Sequence, residues 1–265
     1  MDTIKLSNKK NTKMIAHRGG NLEIENTTGS FISSGNRSHY GIETDVHKTK
    51  DGKFIVYHDD KTARLTESDV RIEETDFETL RDIKFKAYRN RPQRKDIVMP
   101  SLEEYLDICI YYEKLSVLEI KNAMEKEDIV KIYDFYKQAN YLDKTIFISF
   151  NFKNLVYLKE IDPNVTVQYL IETQADGFYD RLKRHDFDME LLEEKNKGDY
   201  HLAMLDVLVD YGMDIDVDYR PIDKRFVKEC KKRGIKINLW TVNDPDRAKE
   251  LIKWGVNYIT SDCLE

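Results

Sequence analysis

Short apolar runs alternate along this chain with longer segments whose apolar residues recur at helical spacing. The runs Met14–His17, Ile42–Val46, Val117–Ile120, Thr145–Ser149, Val165–Leu170, Met213–Val217, Ile235–Trp240 and Val256–Thr260 predict eight β-strands. Between them, Leu102–Tyr112 follows a Ser101 cap and carries Glu103 and Glu104 in its first turn, where the positive end of the helix dipole favours carboxylates. Glu127–Asn140 places Ile129, Ile132, Tyr133 and Tyr136 on one helical face. Asn151 caps Phe152–Glu160, which Asp162-Pro163 breaks. Asp223–Arg233 ends at a C-terminal glycine, Gly234, while Asp246–Trp254 starts behind Asp244-Pro245 and closes at Gly255. Asp51-Gly52 turns the chain back into Phe54-Ile55-Val56-Tyr57, a hairpin extension of the second strand.

Strands alternating with helices predict a parallel sheet. Eight such units in about 250 residues is the size of a (β/α)8 TIM barrel; an open doubly wound sheet is the alternative topology. Two connections, Asp59–Pro100 and Glu172–Gly212, are too long for plain loops and are expected to carry mostly helical, lid-like insertions. The first gives the barrel a small hairpin/helical insertion after its second strand. No repeat, low-complexity tract or interdomain linker interrupts the 265 residues, so one domain is expected over 1–265, with the barrel core from about residue 13.

A net charge of −6 with no basic block argues against nucleic acid as the main partner, yet leaves room for a local basic pocket that takes a phosphorylated small molecule. Apolar residues are 40% of the chain, enough for a substantial core. Met1 to Lys13 is polar and lysine-rich with no apolar run behind it, so neither a signal peptide nor a membrane span is expected. Cys109, Cys230 and Cys263 show neither metal-ligand spacing nor a paired pattern, which fits reduced thiols and a cytoplasmic location.

Three strand ends break the apolar pattern: His17-Arg18-Gly19, Gly41-Ile42-Glu43-Thr44-Asp45-Val46 and Val117-Leu118-Glu119-Ile120-Lys121. Charges buried unpaired there would cost several kcal/mol, so such strand ends usually serve chemistry. Side chains alternate along a strand, so Glu43 and Asp45 share one face, and Ile42, Thr44 and Val46 point to the covering helices. Glu119 and Lys121 share a face in the same way. If these strands are neighbours, three carboxylates converge at the C-terminal rim. They cannot all stay ionised without a cation, and an all-oxygen ligand set suits Mg²⁺ or Ca²⁺ better than zinc. His17 ends the first strand and His58 ends the hairpin, both placed to pass protons near neutral pH. Arg18 and Lys121 add positive charge to that rim, and the combination suits a phosphoryl group in transfer. Lys236, Asn238 and Trp240 share a face, which leaves Trp240 inside the rim. Taken singly, each carboxylate fits a solvated surface, and each histidine or Trp240 fits a structural place; the convergence argues for chemistry.

The ordered motifs resemble those of the glycerophosphodiester phosphodiesterases, whose fold is a (β/α)8 barrel. They are the three strand ends above, Glu25-Asn26-Thr27 followed by Phe31, Thr49-Lys50-Asp51-Gly52, His58-Asp59, Met99-Pro100-Ser101-Leu102-Glu103-Glu104, Trp240-Thr241-Val242-Asn243, and Gly255-Val256 through Ile259-Thr260-Ser261-Asp262. The resemblance runs from about residue 13 to the C-terminus. It implies that His17 and His58 are the general acid/base pair and that Glu43, Asp45 and Glu119 ligate a divalent metal, Mg²⁺ or Ca²⁺. It implies that Arg18 and Lys121 bind phosphate, that Glu25 holds the active-site loop against the catalytic centre, and that Trp240 walls the substrate pocket. The implied reaction is metal-dependent hydrolysis of a small-molecule glycerophosphodiester to sn-glycerol 3-phosphate and an alcohol. The glycerol 2-hydroxyl attacks phosphorus, and a cyclic phosphate is then opened by water.

The chain departs from the family pattern at Ile24, where proline is usual, and over the charged stretch Lys61 to Glu78. That stretch and Glu172–Gly212 are expected to shape the leaving-alcohol pocket. Two other readings stand beside this one. A lysophospholipase D or sphingomyelinase-D-like enzyme would need an apolar lip, from Phe147, Phe150, Phe152 or the insertions. A catalytically silent phosphodiester-binding barrel would usually lack a histidine or a metal carboxylate, and all five are present here.

Overall fold

The computed structural model describes residues 3–89, 92–94, 96–174 and 176–265. Its strands are β1 (Lys13–Ala16), β2 (Gly41–Lys48), β3 (Phe54–Val56), β4 (Leu115–Ile120), β5 (Thr145–Ser149), β6 (Thr166–Ile171), β7 (Asp214–Asp218), β8 (Ile237–Trp240) and β9 (Tyr258–Ser261). They lie in the order β1-β9-β8-β7-β6-β5-β4-β2, and β1 pairs with β2, which closes the sheet. These eight strands are parallel; β3 is antiparallel to β2, as the Asp51-Gly52 turn predicts. The (β/α)8 barrel is therefore present, and the open sheet is not.

Helices α1 (Thr28–Gly35), α2 (Phe77–Asp82), α3 (Leu102–Tyr111), α4 (Lys126–Gln138), α5 (Phe152–Ile161), α6 (Phe178–Arg184), α7 (Met189–Lys195), α8 (Tyr200–Asp210), α9 (Lys224–Lys232) and α10 (Pro245–Trp254) surround it. Ser101 and Glu104 form a reciprocal capping box on α3, a device that contributes about 1 kcal/mol. Outward residues such as Ile42, Val46, Leu118 and Ile120 meet the helices in the main core. Inside the barrel, Ile15, Val117, Ile146, Ile148, Leu170 and Tyr258 form a smaller apolar cluster. Asp216, Asn238 and Thr260 add a buried polar seam, with Asn238 Nδ2 donating to Asp216 Oδ2 at 3.0 Å and Thr260 Oγ1 to Asn238 Oδ1 at 3.2 Å.

The two insertions differ from each other. Residues 172–212 are helical as expected, with α6, α7 and α8 packed on the main core through Phe178, Leu182, Leu192 and Met204. Among the described residues of 59–100, only two 3-10 turns (Thr62–Arg64 and Ile72–Glu74) and the short α2 are helical. This corrects the expectation of a mostly helical segment. Its charges carry no continuous apolar stripe for a long helix. Instead, Ile55, Tyr57, Ile72, Leu80, Phe85 and Met99 bury one another in a separate cluster against β3. No helix among the described residues is long and apolar enough to cross a membrane.

Candidate active site

The register of β2 and β4 sets Asp45 beside Glu119 and Glu43 beside Val117. Because Glu43, Asp45 and Glu119 all point inward, a carboxylate oxygen of each lies within 4.8 Å of the other two, and all three residues are buried. Burial, then repulsion from Asp45 and Glu119, drives the Glu43 carboxyl well above the usual carboxylate range. Burial likewise pushes Glu119 up to about 7, although Lys121 opposes this. Burial also works against the charge of Asp45, but Lys121, His58, Arg18 and the Asn26 amide overcome it and hold Asp45 below its ordinary value. Asp45 Oδ1 accepts no hydrogen bond among the described residues. A buried cluster of converging carboxylate oxygens, with burial and mutual repulsion working against its charge, fits a hard divalent cation.

The two cations brace this cluster. Lys121 Nζ donates to Glu119 Oε1 at 2.7 Å and lies 3.5 Å from Asp45 Oδ1. Arg18 approaches Asp45 through Nε at 3.5 Å, donates from Nη1 to Glu25 at 2.9 Å, and gives its backbone N–H to Glu43 Oε2 at 2.8 Å. Arg18 makes that last bond from a left-handed backbone, with φ +50°. The next residue must be glycine. Gly19 has φ +77°, and a Cβ there would sit 2.4 Å from Ser30 Oγ and 2.8 Å from the Ser30 carbonyl carbon. Asn26 ties the loop to the strand, donating to Asp45 Oδ2 at 2.7 Å and accepting from Thr44 Oγ1 at 2.8 Å.

Each histidine is backed by a carboxylate. His17 Nδ1 lies 2.7 Å from Asp262 Oδ1, and Asn243 Nδ2 donates to the other Asp262 oxygen at 2.6 Å. His58 Nδ1 lies 2.6 Å from Asp59 Oδ1. Burial lowers the His58 pKa below its ordinary value, and Asp45 and Asp59 only partly offset this. Against their own burial, Asp59 and Asp262 are held below the usual range by these histidines and by Arg64 and Asn243 respectively. His47, the next residue on the Glu43–Asp45 face, is fully buried with Nε2 against the His58 carbonyl.

A cavity of about 310 Å³ opens at the C-terminal rim. His17, Arg18, Glu43, His58 and Glu119 line one side; Ile148, Phe150, Leu170, Glu172, Asp216 and Trp240 line the other. Trp240 is inside the rim as alternation predicts, edge-to-face with Phe150 at 6.0 Å. Asp45 and Lys121 stand behind the lining, and Glu25 lies behind Arg18, shared with Arg64. Of the three phenylalanines considered for a lipid lip, only Phe150 reaches the cavity; Phe147 and Phe152 are buried in the outer core. Sequence reasoning assigned no role to Asp262, Arg64 or Asp216. For Asp216 a signal existed, since Asp214-Ile215-Asp216-Val217-Asp218 alternates like β2.

A (β/α)8 barrel that gathers these carboxylates, cations and histidines round one rim cavity defines a hydrolase of phosphoric diesters. The family model of the glycerophosphoryl diester phosphodiesterase family matches residues 17–265, and the chain belongs to that family. It is 26% identical to a glycerophosphodiester phosphodiesterase of Caldanaerobacter subterraneus, over 96% of this chain and 95% of that one. A solved glycerophosphodiester phosphodiesterase structure from Parabacteroides distasonis superposes with a TM-score of 0.69 at 25% identity, covering 95% of this chain and 93% of the other. An Oleispira antarctica phosphodiesterase solved with sn-glycerol-3-phosphate shares the fold, with a TM-score of 0.73 at 23% identity over 94% and 92% of the two chains.

Proposed function

We propose that the chain, as one barrel domain, cleaves water-soluble glycerophosphodiesters to sn-glycerol 3-phosphate and an alcohol. The observation that carries this reading is the pairing of two carboxylate-backed histidines across one cavity with the Glu43–Asp45–Glu119 cluster. With Nδ1 of each ring engaged by a carboxylate, Nε2 is the atom left for substrate. One histidine takes the proton of the glycerol 2-hydroxyl as that oxygen bonds to phosphorus. The bond from phosphorus to the leaving alcohol breaks, and the other histidine protonates the departing oxygen. Water then opens the cyclic phosphate with the histidine roles reversed. Arg18 and Lys121 offset the charge that develops on the phosphoryl oxygens. A Mg²⁺ or Ca²⁺ ion held by Glu43, Asp45 and Glu119 would supply Lewis-acid stabilisation of that charge. Glu25 keeps Arg18 in place, and Trp240 and Phe150 face the organic part of the substrate.

A cavity of about 310 Å³ with Glu172 and Asp216 on the wall beside Phe150 and Trp240 supports a small polar alcohol over a lysolipid. The unpaired cysteines, two of them buried, support a reducing, cytoplasmic setting. The test is release of sn-glycerol 3-phosphate from glycerophosphocholine, glycerophosphoethanolamine and glycerophosphoglycerol, with a lysolipid alongside. The expected result is turnover of at least one water-soluble diester well above the lysolipid. Flat rates for all of them, or a lysolipid preference, would contradict the proposal.

A further inference from the structure

The charged stretch after His58-Asp59 delivers one side chain to the back of the site. Arg64 closes the 3-10 turn Thr62–Arg64, and its guanidinium makes two forks. One fork grips Asp59, with Nε 2.6 Å from Oδ2 and Nη2 3.2 Å from Oδ1. The other grips Glu25, with Nη2 2.6 Å from Oε1 and Nη1 3.1 Å from Oε2. Asp59 holds His58 and Glu25 holds Arg18, so a chain of ion pairs runs Arg18–Glu25–Arg64–Asp59–His58. Arg64 is not among the residues that line the cavity.

The turn that presents Arg64 is anchored on all sides. Tyr57 donates its hydroxyl to the Thr62 carbonyl at 2.8 Å, Thr62 Oγ1 donates to the Ser68 carbonyl at 2.6 Å, and Lys86 Nζ donates to the Ala63 carbonyl at 2.5 Å. Tyr57, Ile72, Leu80 and Phe85 pack beneath it in the insertion's own buried cluster. A planar guanidinium on a fixed turn can hold two carboxylates in a fixed geometry; a lysine ammonium cannot form both forks.

We propose that Arg64 is a positioning residue for the reaction above: through Asp59 it orients His58, and through Glu25 it orients Arg18, locking the proton carrier and the phosphate cation into one frame. This rests on the proposed phosphodiesterase reaction. The experiment measures kcat and KM of the full chain on the best diester for the wild type, Arg64→Ala, Arg64→Lys, Asp59→Asn and the Arg64→Ala/Asp59→Asn double variant, with and without added guanidinium chloride. Misplacing a catalytic group by an ångström costs roughly 10²-fold, and that is the expected fall in kcat for Arg64→Ala, with a smaller rise in KM through Arg18. Millimolar guanidinium is expected to restore about tenfold of the lost kcat, while Arg64→Lys stays within about threefold of Arg64→Ala. In the Asp59→Asn background the kcat cost of losing Arg64 is expected to shrink to a few-fold. Arg64→Ala kinetics within about twofold of wild type would overturn the proposal. So would a loss that guanidinium fails to rescue and that is additive with Asp59→Asn, since both mark a merely structural arginine. A wild type that releases no sn-glycerol 3-phosphate would overturn the parent reading instead.

Discussion

The two halves of the rim are built by opposite rules. On the half formed by β1, β2, β4 and the hairpin, almost every polar side chain is held by another: Arg18 by Glu25, Glu25 by Arg64, Asp59 by Arg64 and His58, Asp45 by Asn26, Glu119 by Lys121. On the half formed by β5 to β8, the cavity wall is Ile148, Phe150, Leu170 and Trp240, with Asp216 held by Asn238 in the buried polar seam. Asp216 Oδ1 and the Trp240 indole N–H have no hydrogen-bond partner among the described residues, as Asp45 Oδ1 has none on the first half. The first half is preorganised for charge, which is where electrostatic catalysis draws most of its strength. The second offers shape and apolar surface, which discriminate between substrates by only about 1–3 kcal/mol per group. Under the proposed function, the first half would carry the reaction and the second the choice of alcohol.

That contrast can be broken most easily at the charged half. His17→Ala or His58→Ala should lower kcat by roughly 10²–10⁴ across the whole diester series, because each ring carries a proton in the bond exchange at phosphorus whichever alcohol departs. Steady-state rates across the headgroup series check this, and near-normal turnover of either variant would break the comparison. A smaller effect is expected opposite. Phe150→Ala should change kcat/KM by about tenfold for some alcohols and little for others, altering their ranking. An equal loss on all of them would mean that Phe150 belongs functionally to the charged half.

The smallest effect on turnover should come from outside both halves, where the consequence is for folding instead. His39 is buried near the N-terminal end of β2, with Nε2 3.2 Å from the Leu264 carbonyl, and burial lowers its pKa from 6.5 to about 4. The unfolded chain therefore takes up a proton below about pH 6.5 that the folded protein does not take up until about pH 4. Stability is complete above that window and falls as pH drops through it, by an amount on the order of 3 kcal/mol for this group. His39→Asn should flatten the pH dependence of denaturant midpoints between those limits while leaving the alcohol ranking unchanged. His47, lowered to about 4 by burial and Lys121, would keep part of the acid sensitivity. A His39→Asn profile as steep as wild type would exclude His39 as a source.

The parts of the site that were legible in the sequence lie on strands. Period-two alternation alone places Glu43, Asp45, Glu119, Lys121 and Trp240 on inward faces, and the structure puts them there. Partners across chain closure were not legible. Asp262 ends a motif of the family, but its pairing with His17 over 245 residues shows only once β9 joins β1. Helix α1 was also missed, because Thr28-Gly29-Ser30-Phe31-Ile32-Ser33-Ser34-Gly35 has weak propensity and only two turns. The Thr27–Ser30 capping box and the burial of Phe31 stabilise it. Arg64 lay hidden for a third reason. In a run of alternating charges, no sequence pattern tells a solvated arginine from one that forks two carboxylates.

The central proposal is that the charged half acts as a metal-assisted phosphodiester centre. The most direct measurement follows release of sn-glycerol 3-phosphate from the best diester as the protein is stripped with a chelator and then given back Mg²⁺ or Ca²⁺. Glu43→Gln and Glu119→Gln variants are carried through the same cycle. The prediction is turnover that disappears on stripping, returns with one of the two ions in the wild type, and fails to return at the same ion concentration in the variants. Undiminished turnover in excess chelator, or full recovery in both variants, would contradict it.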